Sequence, residues 1–288
     1  FCSLLRGATD TSFEVVDADT AAFPGTTFVI TLDTDTVLPR DGARKLVSTI
    51  AHPLNRAQLD PETRTVRRGY GLVQPRVSMS LEGAEDSLFA WLYSGITGVD
   101  PYAGAVSDTY QDVFGEGSFT GKGIFEVDIF NAALGERFPE NTLLSHDLLE
   151  GSYLRTALAS DVEVLDDQPS SYISHCARLH RWVRGDWQTL PWLLPRVPTP
   201  EGRERNPLTR LHRWKIIDNL RRSLYPPLVM LFSLGGFAIL PEAHWAWLVL
   251  VLALLGFPLY FGFLDSMLFR RPPADTRSDR TTFMSDLR

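Results

Sequence analysis

The chain has 288 residues, of which 44% are hydrophobic and 22% are charged, and its net charge is −7 at pH 7. This composition excludes a disordered tail and predicts a packed core in one large or two small domains. The two cysteines exclude a disulfide framework and a four-thiolate zinc site.

The first 177 residues carry 26 acidic and 12 basic side chains and alternate between strand-like and helix-like patterns. Helices are predicted at residues 39–50 and at about 84–93, and another begins near Asp147 with Ser145 as its N-cap. Apolar runs predict strands at residues 27–32, 71–77, 118–125 and 162–165. The alternation predicts a layered α/β domain over residues 1–177.

Residues 178–222 reverse the charge, with 11 basic and four acidic side chains and four tryptophans. Arginine and tryptophan are common at the depth of lipid headgroups. We therefore predict that this basic, Trp-rich segment forms helices at a membrane surface.

Two uncharged runs follow, at residues 223–241 and 243–264. Each has about the length of a membrane-spanning helix, since roughly 20 residues cross the hydrocarbon core. Paired arginines flank the two runs and place both ends in the cytoplasm. We predict a transmembrane helical hairpin over residues 223–265 and a polar tail or linker over residues 266–288. A pair of buried helices in a soluble protein is the alternative.

The sharpest local motif is Asp33-Thr34-Asp35, at the carboxyl end of the first predicted strand. Ligands of open α/β sheets bind at this edge, and carboxylates two residues apart can approach one divalent cation. We interpret Asp33 and Asp35 as a site for Mg²⁺ or Mn²⁺ that bridges a diphosphate. A chance Asp-x-Asp in an acidic loop is the alternative.

Asp147 stands in the first turn of a predicted helix, where the helix dipole favours an ionised carboxylate. A positioned carboxylate can accept a proton from a hydroxyl nucleophile. On the local sequence alone, an Asp that only stabilises its helix explains the residue as well.

The sequence RLHRW occurs at residues 178–182 and again at residues 210–214. In the first copy, Arg178 and Arg181 could hold phosphate oxygens, and Trp182 could stack on a sugar. Membrane anchoring is the alternative for the first copy and the only role expected of the second.

Residues 114–125, FGEGSFTGKGIF, form a Gly-rich region that lacks the spacing of a phosphate-binding Walker loop. Gly121 and Gly123 would let a ligand approach the backbone closely. Lys122 could equally be a solvated loop charge.

Taken in order, these motifs resemble those of processive, membrane-embedded glycosyltransferases with a GT-A fold. Four stretches resemble more closely the glycosyltransferase domain of bacterial cyclic β-1,2-glucan synthases: TLDTDTVLPRDGARKLVSTIAHPLNRA, FGEGSFTGKGIF, ENTLLSHDLLEG and RLHRWVRGDWQ. The resemblance covers most of residues 1–270. It implies an α/β, GT-A-like fold, truncated at the N-terminus, with interfacial helices and a transmembrane helical hairpin.

The resemblance also implies an activity, that of an inverting, metal-dependent hexosyltransferase. Such an enzyme moves glucose from UDP-glucose to a growing β-glucan acceptor, with its core on the cytoplasmic face of the inner membrane. The implied partners are therefore UDP-glucose, the glucan, the lipid bilayer and the remaining domains of a longer parent chain, and no nucleic acid. Since the strands that grip the nucleotide would precede Phe1, we expect this segment alone to be inactive or nearly so.

Residue roles follow from the same resemblance. Asp147 would be the base that deprotonates the acceptor, while Asp33 and Asp35 would hold the Mg²⁺ or Mn²⁺ and the diphosphate. The donor and leaving diphosphate would contact Arg178, Arg181 and Trp182, although many relatives have Gln in place of Arg178. The acceptor side would be lined by Phe119, Thr120, Gly121, Lys122 and Gly123.

Two other functions fit parts of the sequence. The run Asp33-Thr34-Asp35-Thr36-Val37-Leu38 matches the opening signature of haloacid dehalogenase-type phosphatases, with Lys122 and the pair Asp166-Asp167 as candidates for its later motifs. The other is a catalytically silent membrane component that only binds or exports glucan.

Overall fold

The computed structural model describes residues 1–10, 20–79, 109–167, 169–239, 242 and 244–268. The chain divides into two compact units, Phe1–Arg221 and Arg222–Arg288. The described strands are β1 (Phe28–Thr31), β2 (Gln58–Asp60), β3 (Thr65–Arg68), β4 (Leu72–Met79), β5 (Gly123–Glu126), β6 (Thr156–Asp166), β7 (Arg196–Thr199) and β8 (Gly202–Arg205). The described α-helices are α1 (Cys2–Leu5), α2 (Gly42–Ile50), α3 (Thr109–Phe114), α4 (Val127–Leu134), α5 (Asp147–Leu154), α6 (Tyr172–Gln188), α7 (Arg210–Ile239) and α8 (His244–Leu268).

A four-stranded sheet in the order β1-β5-β4-β6 positions the polar motifs of the first unit. Strand β5 runs antiparallel to both β1 and β4, and β4 runs parallel to β6. Strands β1, β4 and β6 therefore point the same way, and their carboxyl ends lie at the edge where β5 begins. This edge gathers Asp33 and Asp35 after β1, Lys122 just before β5, and Asp166 at the end of β6.

A backbone bridge draws the chain after β1 toward the end of β6. Val37 and Leu165 exchange two backbone hydrogen bonds, of 2.8 and 3.0 Å. The adjacent Thr36 Oγ1 donates to Asp166 Oδ1 at 2.7 Å. The bridge thus holds the Asp33-Thr34-Asp35 motif beside the last residue of β6.

Helix α2 covers one face of the sheet. Leu46 and Ile50 are one turn apart, and both are buried against strands β4, β5 and β6. Full burial of such a side chain stabilises the fold by about 1.5–3 kcal/mol. The remaining members of this core cluster are Val73, Ile124, Ala157, Ala159 and Val162, with Phe28, Ile30 and Tyr70 packed against it.

The predicted mixed α/β class is confirmed, and β1, α2 and β4 fall within about three residues of their predicted bounds. Strand β6 is longer than the predicted strand at residues 162–165. The predicted strand at residues 118–125 is wrong over its first half, because Gly121 adopts a positive φ of 94° and β5 begins only at Gly123. The helix predicted at about residues 84–93 lies outside the described residues.

The second unit contains the end of α7 and helix α8. Tyr225 Oη donates to the Leu254 carbonyl at 3.3 Å, and the rings of Phe232 and Trp247 lie 4.4 Å apart. Helix α7 has the length and composition needed to cross a membrane, with a mean hydropathy of 1.2 in its most apolar 18 residues, of which 6% are buried. Helix α8 adds a shorter apolar stretch, His244–Phe257. The predicted domain bounds, including the tail over residues 266–288, stay predictions.

Candidate active site

Three carboxylates converge at the sheet edge. Asp33, Asp35 and Asp166 each place one carboxylate oxygen within 4.8 Å of the other two. Asp33 is exposed, Asp35 is partly buried and Asp166 is buried at 5% exposure. Carboxylate oxygens are the ligands that Mg²⁺ and Mn²⁺ prefer, so the donor set fits either ion chemically.

Lys122 supplies a positive charge to this cluster. Its Nζ lies 2.6 Å from Asp33 Oδ2 and 3.2 Å from Asp166 Oδ2, and its side chain is only 8% exposed. Burial alone would lower the pKa of Lys122, but the hydrogen bond to Asp33 and the charges of Asp166 and Asp33 raise the pKa above its ordinary value. Lys122 is therefore a buried cation of the site. Its alternative interpretation as a solvated loop charge is excluded.

Asp147 begins helix α5, as predicted, but its environment differs from the prediction. The N-cap is His146, and Ser145 Oγ instead donates to Asp147 Oδ2 at 3.1 Å. Burial raises the pKa of Asp147, the Ser145 hydrogen bond lowers it, and the charge of Asp33 raises it further. The net upward direction is opposite to the one expected from the helix dipole, and it makes Asp147 a stronger base once ionised.

A second carboxyl group lies one helical turn beyond Asp147. Burial and the charge of Asp147 raise the pKa of Glu150 to about 7. Both groups line one cavity of about 480 Å³. The described lining of this cavity, besides Asp147 and Glu150, consists of Phe1, Cys2, Ser3, Thr31, Phe119, Gly121, Phe125, Phe130, Asn131, Leu134, Gly135 and Glu136.

Helix α6 carries the first RLHRW motif to Asp35 of the acidic cluster. Arg178 Nη2 donates to Asp35 Oδ2 at 3.3 Å. Arg178 and Arg181 line a cavity of about 750 Å³ together with Asp35. This cavity therefore places two guanidinium groups beside one carboxylate of the acidic cluster. Its other described lining residues are Asp167, Pro169, Ser170, Ser174, Ala177 and His180.

The segment between α3 and β5 is fixed by a buried glutamine. The Thr120 amide donates to Gln74 Oε1 at 2.6 Å, and Thr120 Oγ1 lies 3.2 Å from the same oxygen. Gln74 lies on β4 and is 1% exposed. These bonds set the turn through Gly121 that directs Lys122 toward the carboxylates.

The predicted site residues fall into groups. Asp33 belongs to the first group with both Lys122, with which it forms an ion pair, and Asp35, whose carboxylate lies within 4.8 Å. Gly121 lies against Asp147. Phe119 lines the smaller cavity, whereas Gly123 is already in the sheet and packs under the Val73 carbonyl. Trp182 is 37% exposed and lies outside the described lining of both cavities.

Sequence reasoning missed three residues of the site. The sequence motifs include Asp166 only in the phosphatase alternative, and they assign no role to Gln74 or Glu150. Asp166 lies at the carboxyl end of a strand, as Asp33 does, and this position is the signal that could have identified it as a site residue. Gln74 and Glu150 carry no such signal, because their roles depend on contacts between distant segments.

Comparison with known proteins agrees with the motifs. No protein-family model matches the chain. The chain spans about 10% of the length of the curated relative that it matches. The resemblance predicted from the motifs is confirmed, because 99% of this chain is 44% identical to a segment of the cyclic beta-(1,2)-glucan synthase NdvB of Rhizobium meliloti strain 1021.

Proposed function

We propose that the chain carries the active site of an inverting glycosyltransferase that moves glucose from UDP-glucose to a growing β-glucan. The observation that carries the proposal is the convergence of Asp33, Asp35, Asp166 and Lys122 at one sheet edge, with Asp147 near enough for the charge of Asp33 to raise its pKa. The similarity to a glucan synthase supports the choice of sugar and acceptor.

Asp33, Asp35 and Asp166 would hold a divalent cation, Mg²⁺ or Mn²⁺, because they offer three carboxylate oxygens within reach of one another. When bound, the cation would neutralise negative charge on the donor diphosphate. Lys122 is the resident cation at the same carboxylates and would share this task.

In the proposed reaction, the acceptor hydroxyl oxygen forms a bond to C1 of glucose while the bond from C1 to the diphosphate oxygen breaks. Asp147 accepts the hydroxyl proton, and its raised pKa suits it to that role. Arg178 and Arg181 line the larger cavity and would stabilise the charge that develops on the departing UDP. Attack opposite to the leaving group inverts the configuration at C1.

The smaller cavity would receive the acceptor. Phe119, Phe125 and Phe130 give it apolar ring surfaces, while Asp147 and Glu150 give it hydrogen-bonding groups. A hexopyranose has apolar faces and a rim of hydroxyl groups, so it matches this combination.

The membrane belongs to the same proposal. Helices α7 and α8 would enter the inner membrane from the cytoplasm, so that the growing glucan is made at the bilayer surface. Two observations support it: the uncharged runs at residues 223–241 and 243–264, and the exposure of most of the apolar part of α7. A core helix of a soluble protein would be mostly buried.

One contact also favours the phosphatase alternative, since Lys122 touches both Asp33 and Asp166. A phosphatase of that class would transfer a phosphoryl group from its substrate to the Asp33 carboxylate, forming an aspartyl phosphate. The phosphatase alternative gives Asp147 no role and does not explain the sequence identity to a glucan synthase. We therefore retain it only as an outcome of the test.

The test follows labelled UDP-glucose in the full-length protein. We expect Asp147→Asn to reduce glucan synthesis by about 10²–10⁴-fold while binding of UDP-glucose persists. Asp161→Asn, at an exposed residue of β6, is the matched control and should leave synthesis unchanged. Unchanged synthesis in Asp147→Asn would show that Asp147 is not the base. Detection of labelled phosphate bound to Asp33 would favour the phosphatase.

A further inference from the structure

A buried charged cluster joins the beginning of α7 to the segment after α3. His212 Nε2 lies 2.8 Å from Glu116 Oε1, and Lys215 Nζ lies 3.4 Å from the same oxygen. Lys215 Nζ also donates to the Gly117 carbonyl at 2.7 Å. His212 and Lys215 are only 7% and 4% exposed. Burial would raise the pKa of Glu116, but its contacts with His212 and Lys215 lower the pKa below the ordinary value.

This cluster gives the second RLHRW motif a role other than the predicted membrane anchoring. His212 and Lys215 are three residues apart, so they lie on the same side of helix α7. Trp214, between them in sequence, is 56% exposed and lies on another side. The sequence contains three lysines, Lys45, Lys122 and Lys215, of which Lys122 and Lys215 are buried. Lys215 contacts the start of the segment that follows α3, and Lys122 forms the end of that segment.

That segment, residues 116–122, is the catalytic loop of the proposed enzyme. Its first part is held by Glu116 and by the Gly117 amide, which donates to the Thr156 carbonyl at 2.8 Å. Its middle is held by the bond from the Thr120 amide to Gln74, and its end carries Lys122 to the acidic cluster. Glu116 and Gly117 thus anchor the beginning of the same short stretch of backbone from which Lys122 extends.

We propose that His212 and Lys215 are positioning residues that fix the catalytic loop through Glu116 and the Gly117 carbonyl, and so hold Lys122 against Asp33 and Asp166. They act through Lys122, and no contact with substrate is assigned to them. The proposal rests on the proposed function for its effect on catalysis. The effect on loop order is independent of it.

The cluster should tolerate loss of its lysine. Arg155 Nε lies 3.7 Å from Glu116 Oε2, and His212 stays in contact with the other oxygen, so Glu116 keeps two partners in Lys215→Met. The Gly117 carbonyl loses the bond from Lys215, which releases the first part of the loop. We therefore expect the variant to fold with a locally loosened loop.

The experiment compares Lys215→Met with Lys45→Met in the full-length protein. Lys45 is exposed on α2, so the same substitution there is a matched control. Hydrogen–deuterium exchange of peptides covering the catalytic loop should become about tenfold faster in Lys215→Met, and peptides from β4 and β6 should be unchanged. The turnover number kcat should fall about 10- to 100-fold, with KM for UDP-glucose within about twofold of the parent value. Lys215→Arg keeps a positive donor and should recover part of kcat.

Unchanged exchange of the loop in Lys215→Met would overturn the proposal, whatever the activity. Faster exchange with unchanged kcat would also overturn it, because the loop would then be loosened without consequence for Lys122. If Lys215→Met does not fold, His212→Ala provides the same comparison from the other partner of Glu116. A parent protein that makes no glucan would instead contradict the proposed function, and loop exchange would still decide whether the cluster fixes the loop.

Discussion

Gly121 lies directly against the carboxylate of Asp147. A Cβ atom at residue 121 would be 3.2 Å from Asp147 Oδ2 and 3.3 Å from its carboxyl carbon. The φ of Gly121 is +94°, a region that side chains with a Cβ rarely adopt. Two independent constraints thus require glycine beside the proposed base.

We predict that Gly121→Ala reduces glucan synthesis about tenfold or more, because the added methyl group displaces the Asp147 carboxylate. The positive φ adds a backbone cost of about 1–2 kcal/mol. Gly25→Ala is the control, since nothing lies within 4 Å of a Cβ there. Initial rates with labelled UDP-glucose provide the measurement, and equal rates in both variants would contradict the predicted contact.

Lys122→Met should destabilise the first unit. The substitution leaves Asp166 buried without its cation, and loss of one partner from a buried ion pair costs about 3–5 kcal/mol. Urea unfolding followed by tryptophan fluorescence measures the change. Lys45→Met is the control, and an equally small loss in the two variants would show that the Lys122 contacts contribute little.

Glu150→Gln should stabilise the protein at high pH and have little effect at low pH. The pKa of Glu150 is raised from 4.5 to about 7, so the folded state binds the proton more tightly than the unfolded state. Stability from this group is fully present below pH 4.5 and is lost as the pH rises through about 7. Above that pH, ionised Glu150 lowers the free energy of unfolding by roughly 3 kcal/mol, at 1.36 kcal/mol for each pKa unit.

The measurement for Glu150 is the melting temperature at pH 5 and pH 8. We expect Glu150→Gln to melt several degrees above the parent at pH 8, with a much smaller difference at pH 5. Glu62→Gln, at an exposed residue after β2, provides the control for loss of a surface charge. A difference that is the same at both pH values would show that Glu150 is already ionised at pH 5.

Local sequence patterns predicted those strands and helices whose buried residues are close together in the sequence. The apolar run before Asp33 predicted β1, and the position of Asp33 at its carboxyl end predicted a ligand-binding edge. The helix-like pattern of residues 39–50 likewise predicted α2, in which Leu46 and Ile50 are buried. In these cases the residues that decide the structure are neighbours in the sequence.

The sequence could not predict features that depend on pairing between distant segments. Asp166 joins the acidic cluster because Val37 pairs with Leu165, a contact across more than 120 residues. In the catalytic loop, the Thr120 amide donates to the side chain of Gln74, which is 46 residues away in the sequence. The contact made by the second RLHRW motif could not be predicted, because Glu116, the partner of its histidine, is 96 residues away.

The central claim is that Asp33, Asp35, Asp166 and Lys122 form one site for a sugar nucleotide and a divalent cation. Calorimetric titration of the full-length protein with UDP, in Mn²⁺ and in EDTA, tests it most directly. We predict binding that requires Mn²⁺ and weakens at least about tenfold in Asp35→Asn, equal to about 1.4 kcal/mol, but not in Asp161→Asn. Equal binding of UDP in Mn²⁺ and in EDTA, unaltered by Asp35→Asn, would contradict the claim.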